Sequence, residues 1–291
     1  MLSVLIPIYN YDAFPLAKEM VRQAEKESVD FEILCYDDGS TLFEKENKRM
    51  GSLKNVAYKK FSSNIGRTAI RQKLANDASF DWLLFVDADM MPKTERFIKD
   101  YLVHQKKSPE RAVFFGGYAY KSTIKSKKLL RYRYGKKREE IAAKRRSEKP
   151  YKNVLSGNVF IKKSLFLEVN AILQNRYGLD PLFSARLQDL KIVPSHIDNE
   201  VYHNGLETNS SFLEKSKEGA KTIGWLYHNN HINNHQSQLV CAYEWLRKQK
   251  LLGIFKTLSK CVIKPTEKLL STKRGPLFLF DFFRLYYFIE S

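Results

Sequence analysis

Trp82-Leu83-Leu84-Phe85-Val86-Asp87-Ala88-Asp89 is the stretch on which the reading of this chain turns. The apolar run over 82–86 has the length and composition of a strand buried on both faces. Two carboxylates one residue apart close it. Side chains at i and i+2 of an extended segment point the same way, so Asp87 and Asp89 can face one ligand. The carboxyl ends of strands in an open α/β sheet are where such ligands bind. Hard oxygen donors in that place suit Mg²⁺ or Mn²⁺, which in turn takes a diphosphate. Asp is equally at home in a solvated strand-end turn, so the pair alone leaves both readings open.

Outward from this run, strand and helix signals alternate. Strands are expected over 3–8, 31–36, 56–61 and 112–120, and helices over 14–27, 67–77 and 93–106. Further strands are expected over 154–161 and 192–197, with a helix at 181–190; beyond about 210 the pattern is helical. Short connections between alternating elements predict a mostly parallel sheet flanked by helices. Three strand ends then carry polar clusters: Pro7-Ile8-Tyr9-Asn10, Asp37-Asp38-Gly39-Ser40 and Asp87-Ala88-Asp89. In a parallel sheet these tips share one edge and can build one nucleotide pocket. Asp38 can accept from a base N–H or a ribose hydroxyl, and Gly39 permits a close turn beneath.

The net charge of +18 is concentrated in two segments: 121–152 carries +11 and 247–274 carries +8. The remainder is close to neutral, which points to local surfaces for an anionic partner. Arg131-Tyr132-Arg133-Tyr134 with Lys136-Lys137-Arg138 mixes cations and aromatics as single-strand nucleic-acid sites do. No nucleic-acid motif accompanies it, and no nucleic-acid partner is expected. Cys35, Cys241 and Cys261 lack metal-ligand spacing; Cys35 reads as a small core residue and the set as that of a reducing compartment. The N-terminus enters strand directly without a basic leader, and no run of about 18 apolar residues offers a spanning helix. A cytoplasmic protein is expected.

In order, Ser3-Val4-Leu5-Ile6-Pro7-Ile8-Tyr9-Asn10, Asp37-Asp38-Gly39-Ser40, Asn64-Ile65-Gly66 and Asp87-Ala88-Asp89 resemble the nucleotide-binding half of the family 2 glycosyltransferases of GT-A fold. The resemblance covers about residues 1–207. It implies a GT-A (Rossmann-like) catalytic domain over 1–210, nucleotide-binding in 1–120 and acceptor-binding in 121–210. A helical, basic extension over 211–291 follows. It implies a nucleotide-diphosphate sugar donor, UDP-linked in the first instance. Pro7, Tyr9 and Asp38 would hold base and ribose and Asp87 the ribose side, with Asn64 and Ala88 also at the nucleotide sugar. Asp89 would hold the divalent metal. Arg67 and Arg71 are either helpers in that pocket or a solvated helix face.

Leu155-Ser156-Gly157-Asn158-Val159-Phe160 resembles the strand after the acceptor loop. Tyr177-Gly178-Leu179-Asp180 occupies the place where the family carries an acidic pair whose second member is the catalytic base. Leu179 replaces the first acid. Asp180 before Pro181 is either that base or an ordinary helix N-cap. The resemblance also implies a histidine after the last core strand at the metal; His203 is the expected ligand, and His196 is not. His228, His231 and His235 have a weaker metal-ligand look among turn-forming asparagines. The basic 121–152 segment falls on the acceptor loop, which suits an anionic glycan or lipid-linked acceptor, or is a solvated loop. The aromatic 277–289 stretch is either an interfacial anchor behind the 247–274 basic run or a helix packed on the rest of the chain.

The function expected is inverting, metal-dependent sugar transfer by single displacement, in surface-polysaccharide synthesis at the inner membrane face. The alternative is a non-catalytic nucleotide-sugar or polyanion-binding protein on the same scaffold, suggested by Leu179.

Overall fold

The computed structural model describes residues 1–122, 129–170, 176–234, 236–272 and 275–291. The chain opens with β1 (Leu2–Ile8), α1 (Phe14–Lys26), β2 (Phe31–Asp37), α2 (Glu44–Lys48) and a 3-10 turn at Arg49–Ser52. β3 (Val56–Lys60), α3 (Arg67–Asp77), β4 (Trp82–Val86), β5 (Met90–Pro92) and α4 (Phe97–Lys107) follow. Next come β6 (Val113–Phe115), β7 (Tyr118–Ala119), α5 (Leu129–Arg138), α6 (Ala143–Ser147), β8 (Asn158–Lys162) and α7 (Lys163–Val169). After α8 (Asp180–Asp189), β9 (Ser195–His196) and β10 (Val201–His203) the chain is helical: α9 (Asn209–His228), α10 (Gln238–Lys248), α11 (Leu252–Ser271) and α12 (Leu277–Ile289).

Seven strands form the central sheet in the order β3-β2-β1-β4-β8-β6-β9. All neighbours are parallel except at β8, which runs against both β4 and β6. Alternation along β1 builds a core on each face. Val4, Ile6 and Ile8 pack with Leu16, Ala17 and Met20 of α1, while Leu5 packs with Ile70 and Leu74 of α3 and Phe166 of α7. Each fully buried apolar side chain contributes about 1.5–3 kcal/mol. The sheet is therefore a rigid platform whose strand tips can hold polar groups in place. β3 is the edge strand, and its exposed Lys59 and Lys60 discourage further pairing.

One expected strand is in fact two. The 112–120 run crosses from β6 in the large sheet to β7 in a smaller one, ordered β5-β10-β7. The crossing is Gly116-Gly117. A Cβ on Gly116 would lie 2.3 Å from the Asn199 carbonyl, and Gly117 has φ +84 beside the Arg146 guanidinium. Only glycines pass there. Pro194 restricts the expected 192–197 strand to two residues, because proline cannot donate to a ladder. The strand expected from 154 begins at Asn158, leaving 154–157 as a loop beneath the site. The helix expected from 93 begins at Phe97, after the β5 turn.

In the C-terminal region, Phe280, Phe283, Phe288 and Ile289 of α12 are buried. They share their cores with α9, α10 and α11, and also with Leu130 of α5 and Leu182 of α8. Of the two readings of the aromatic stretch, the packed helix is the one observed. Apolar side chains of this region left exposed are Trp245 of α10, Phe278 of α12 and, on α11, Ile254, Leu258, Val262 and Leu269. Among the described residues no helix is long and apolar enough to cross a membrane.

Candidate active site

The parallel strands β1, β2 and β4 bring their carboxyl ends to one edge of the sheet. At the β1 tip Pro7 is half-buried and Tyr9 is exposed, and the Asn10 carboxamide oxygen accepts from Thr41 and Leu42 N–H groups at 2.9 and 3.2 Å. At the β2 tip Asp37 shapes the loop, accepting from Ser40 N–H at 2.8 Å and from the Tyr58 hydroxyl at 2.9 Å. Asp38 accepts from Ile65 and Gly66 N–H groups at 2.7 and 3.0 Å. Burial raises its pKa, and these two bonds oppose the rise. Gly39, with φ +73, passes so close to Ser63 that a Cβ would stand 2.7 Å from its carbonyl carbon. Asp38 thus fastens the exposed Asn64 turn that launches α3, and the turn sets the aim of Arg67 and Arg71.

Those two arginines converge on Asp87. Arg71 is 3% exposed, bonds the Asp87 carboxylate through Nη2, and donates Nη1 to the Ser156 carbonyl at 3.0 Å. It also lies over the Phe85 ring at 4.9 Å. The solvated-face reading is therefore wrong for Arg71: the helix face that looks polar in sequence packs on a charged strand tip. Arg67 remains 44% exposed, with Nη2 on Asp87 at 2.9 Å and Nη1 on the Ser156 hydroxyl at 3.1 Å. Burial pushes the Asp87 pKa up, but Arg71 and Arg67 outweigh it and hold the carboxyl well below the usual range. Gly157 is required underneath, since a Cβ would stand 2.6 Å from Asp87 Oδ2 and 2.3 Å from the Tyr118 hydroxyl oxygen. Ala88, between the two acids, is buried.

Asp89 faces a second group. β10 pairs with β5 so that His203 stands opposite Met90. This places His203 Nε2 3.1 Å from Asp89 Oδ2. Arg131 Nη2 lies 3.0 Å from His203 Nδ1; a guanidinium only donates, so Nδ1 accepts and Nε2 carries the proton toward Asp89. Glu139 holds Arg131 at 3.0 Å and accepts from the Tyr120 hydroxyl. Asp89 Oδ2 and His203 Nε2 stand close enough to hold one divalent ion together if the imidazole proton moves from Nε2 to Nδ1, which requires Arg131 to turn away from Nδ1. Among the described residues no group of three or more acidic, His or Cys side chains could hold a metal. Two protein ligands leave positions for phosphate oxygens and water, as Mg²⁺-type sites do. A Cβ at Gly205 would come within 2.1 Å of Asp89 Oδ2, so the carboxylate has no room to shift that way.

Asp180 joins this edge to a cleft. It is the first residue of α8 yet makes no capping bond. Its carboxylate instead accepts from the Ser156 hydroxyl and lies 3.5 Å from Arg67 Nη1. It lines a cleft of about 960 Å³ together with Tyr134, Tyr151 and Tyr177. Leu179, at the position of the missing acid, packs against the α8–α9 core.

The structure thus gathers Arg67, Arg71, Asp87 and Asp180 into one hydrogen-bonded cluster and Asp89 with His203 into another. Pro7, Tyr9, Asp38 and Asn64 sit along the same edge without joining either. His196 is structural: it accepts from Arg146 at 3.0 Å and donates to the Pro150 carbonyl at 2.8 Å. Burial drives its pKa down to about 4. His231 packs against the Trp225 ring, and His228 against the Tyr243 ring edge-on and the Phe288 ring at a tilt; His235 lies outside the described residues. Sequence reasoning missed Tyr118, Tyr120 and Glu139. The signal for the tyrosines was their i, i+2 spacing just after a Gly-Gly step, which puts both rings on one side of a short strand.

The model of the family "Glycosyl transferase family 2" matches residues 3–168. That is more than half of the 291 residues, and the chain belongs to this family. Among solved structures, the chain resembles a mannosyltransferase from Pyrobaculum calidifontis in complex with GDP-Man and Mn²⁺, at 12% identity and a TM-score of 0.56. The match covers 78% of this chain and 64% of that one. It also resembles glucosyl-3-phosphoglycerate synthase from Mycobacterium tuberculosis in complex with Mn²⁺, UDP-Glc and phosphoglyceric acid, at 16% identity, a TM-score of 0.53 and 80% coverage of each chain. At these identities the likeness is one of fold. No curated protein matches the chain.

Proposed function

We propose that this family 2 chain moves a sugar from a nucleoside-diphosphate sugar, UDP-linked in the first instance, to a hydroxyl of a glycan or lipid-linked acceptor. The transfer inverts the anomeric carbon. The observation that carries the reading is the Ser156–Arg67 bridge between Asp87 and Asp180. Through it a carboxylate at the mouth of a large cleft is tied to the strand edge where a nucleotide fits. Mn²⁺-bound neighbours of the same fold support a divalent ion at Asp89 and His203.

In this reading the base and ribose lie along the β1 and β2 tips, against Pro7, Tyr9, Asn64 and the Asp38 loop, with Asp87 and Ala88 on the ribose side. The ion, when bound, neutralises charge on the diphosphate. Arg67 and Ser156 hold the Asp180 carboxylate in one orientation. Asp180 takes the proton from the acceptor hydroxyl as its oxygen attacks the anomeric carbon. The bond to the diphosphate breaks on the far side, and its electron pair leaves with the nucleotide. One displacement gives inversion.

Extending the reading, α11 meets an anionic membrane surface. It exposes Ile254, Leu258, Val262 and Leu269, and also Lys256, Lys260, Lys264 and Lys268. Leu258→Glu should then weaken binding to anionic phospholipid vesicles, and unchanged binding would remove this part.

The test of transfer is turnover of UDP- and GDP-sugars with Mn²⁺ and glycan or lipid acceptor fractions. Asp180→Asn should lower turnover at least about 100-fold while donor binding persists. Full turnover in that variant sinks the mechanism. Donor binding without turnover by the native chain under any acceptor favours the non-catalytic alternative.

A further inference from the structure

The cleft beside Asp180 has an unbalanced charge. Two of its arginines are satisfied within the protein: Arg131 by Glu139 at 3.0 Å and Arg138 by Asp281 at 2.7 Å. Lys137 of α5, Arg145 of α6, and Lys149 and Lys152 of the turn after α6 also line it. Among the described residues none of these four has an acidic partner within ion-pair distance. Arg284 of α12 reaches the cleft as well, lying over the Tyr134 and Phe280 rings at 5.9 and 5.8 Å. Against these five cations the lining offers one unpaired acid, Glu148.

Like charges held around one concave surface repel one another, and an anion placed among them relieves that repulsion. Low-dielectric walls focus their field into the cleft. The arrangement spans three helices and the turn after α6, so the charges border the cavity rather than one helix face. Planar guanidinium forks at Arg145 and Arg284 suit phosphate oxygens, and the lysines supply point charge. The aromatic rings of Tyr134, Tyr151 and Tyr177 on the same walls suit sugar faces.

We infer that the acceptor carries phosphate, and that Lys137, Arg145, Lys149, Lys152 and Arg284 hold that phosphate while a sugar hydroxyl of the same molecule approaches Asp180. This rests on the reading of the cleft as the acceptor side of a transferase. The phosphate has two possible origins, a soluble phosphorylated glycan or the diphosphate that joins a glycan to a lipid, and the same cations serve both.

Binding of the full chain would be measured in EDTA, so that no anion is held through a divalent ion. Three probes are used: inorganic tripolyphosphate, a prenyl diphosphate in neutral phosphatidylcholine vesicles, and tetragalacturonate as a carboxylate control. The native chain should bind at least one phosphate probe at least about tenfold more tightly than the control. Arg145→Gln/Lys149→Gln/Lys152→Gln should lose at least about tenfold for that probe and show a flatter salt dependence. Glu148→Gln should tighten binding. Binding of tripolyphosphate supports a soluble origin, and binding only of the vesicle probe supports the lipid one. The replaced side chains are exposed, and thermal melting checks that the triple variant folds. Equal binding by native and triple variant, no phosphate binding, or a control bound as tightly as phosphate overturns the inference. Binding of UDP-glucose in Mn²⁺ is read separately: its loss in the native chain with phosphate binding intact faults the donor reading and leaves the cleft assignment standing.

Discussion

Arg71 reaches from α3 to Asp87 at the tip of β4, and with its other nitrogen to the carbonyl of Ser156, from a position that is 3% exposed. One guanidinium therefore ties the helix after the nucleotide turn to the strand that carries the acids and to the loop that carries Asp180's partner. Both ends of the pair need each other. A buried guanidinium without Asp87 would be an uncompensated charge, and Asp87 would lose its main counter-charge.

Arg71→Met should accordingly destabilise the fold by about 3 kcal/mol, read as a lowered urea midpoint. Arg71→Lys should recover only part of this, since an ammonium cannot bridge both acceptors as the fork does. Stability unchanged by Arg71→Met would mean that the pair does not hold these elements together.

Gly205→Ala should disturb metal binding specifically. The added methyl would press on Asp89 Oδ2, and shifting a ligand's support costs about 10–100-fold in affinity. Titration of Mn²⁺ followed by electron paramagnetic resonance reads this without any turnover. Native affinity in the variant would argue that Asp89 is not a ligand.

His196 gives the fold an acid sensitivity. Burial lowers its pKa to about 4, against about 6.5 for an unfolded chain. Between those values the unfolded state takes up a proton that the folded state refuses. Stability from this group is complete above about pH 6.5 and falls as the pH drops toward 4, by up to about 1.4 kcal/mol per pH unit. Urea denaturation over that window should show a shallower slope for His196→Gln. An identical slope would mean that another group sets the acid limb.

Much of this was legible in sequence, for identifiable reasons. The period-2 and apolar runs located β1, β2 and β4, and turn residues located the polar tips that follow them. The place of Arg71 was open because its burial depends on a carboxylate from another element, which helical spacing does not reveal. The break between β6 and β7 was missed because Gly116-Gly117 reads as an unremarkable pair until Asn199 and Arg146 close over it. Glu139 and Tyr120 meet across 19 positions, and only the folded chain shows them beside His203. The burial of α12 was open because its aromatics suit a core and an interface equally.

The most direct test of the account is calorimetric titration of the native chain with UDP-glucose and GDP-mannose, each with Mn²⁺ and with EDTA, alongside Asp89→Asn. The account predicts that at least one donor binds in Mn²⁺, and that EDTA and Asp89→Asn each weaken that binding at least about tenfold. Neither donor binding, or binding indifferent to both Mn²⁺ and Asp89, would contradict it.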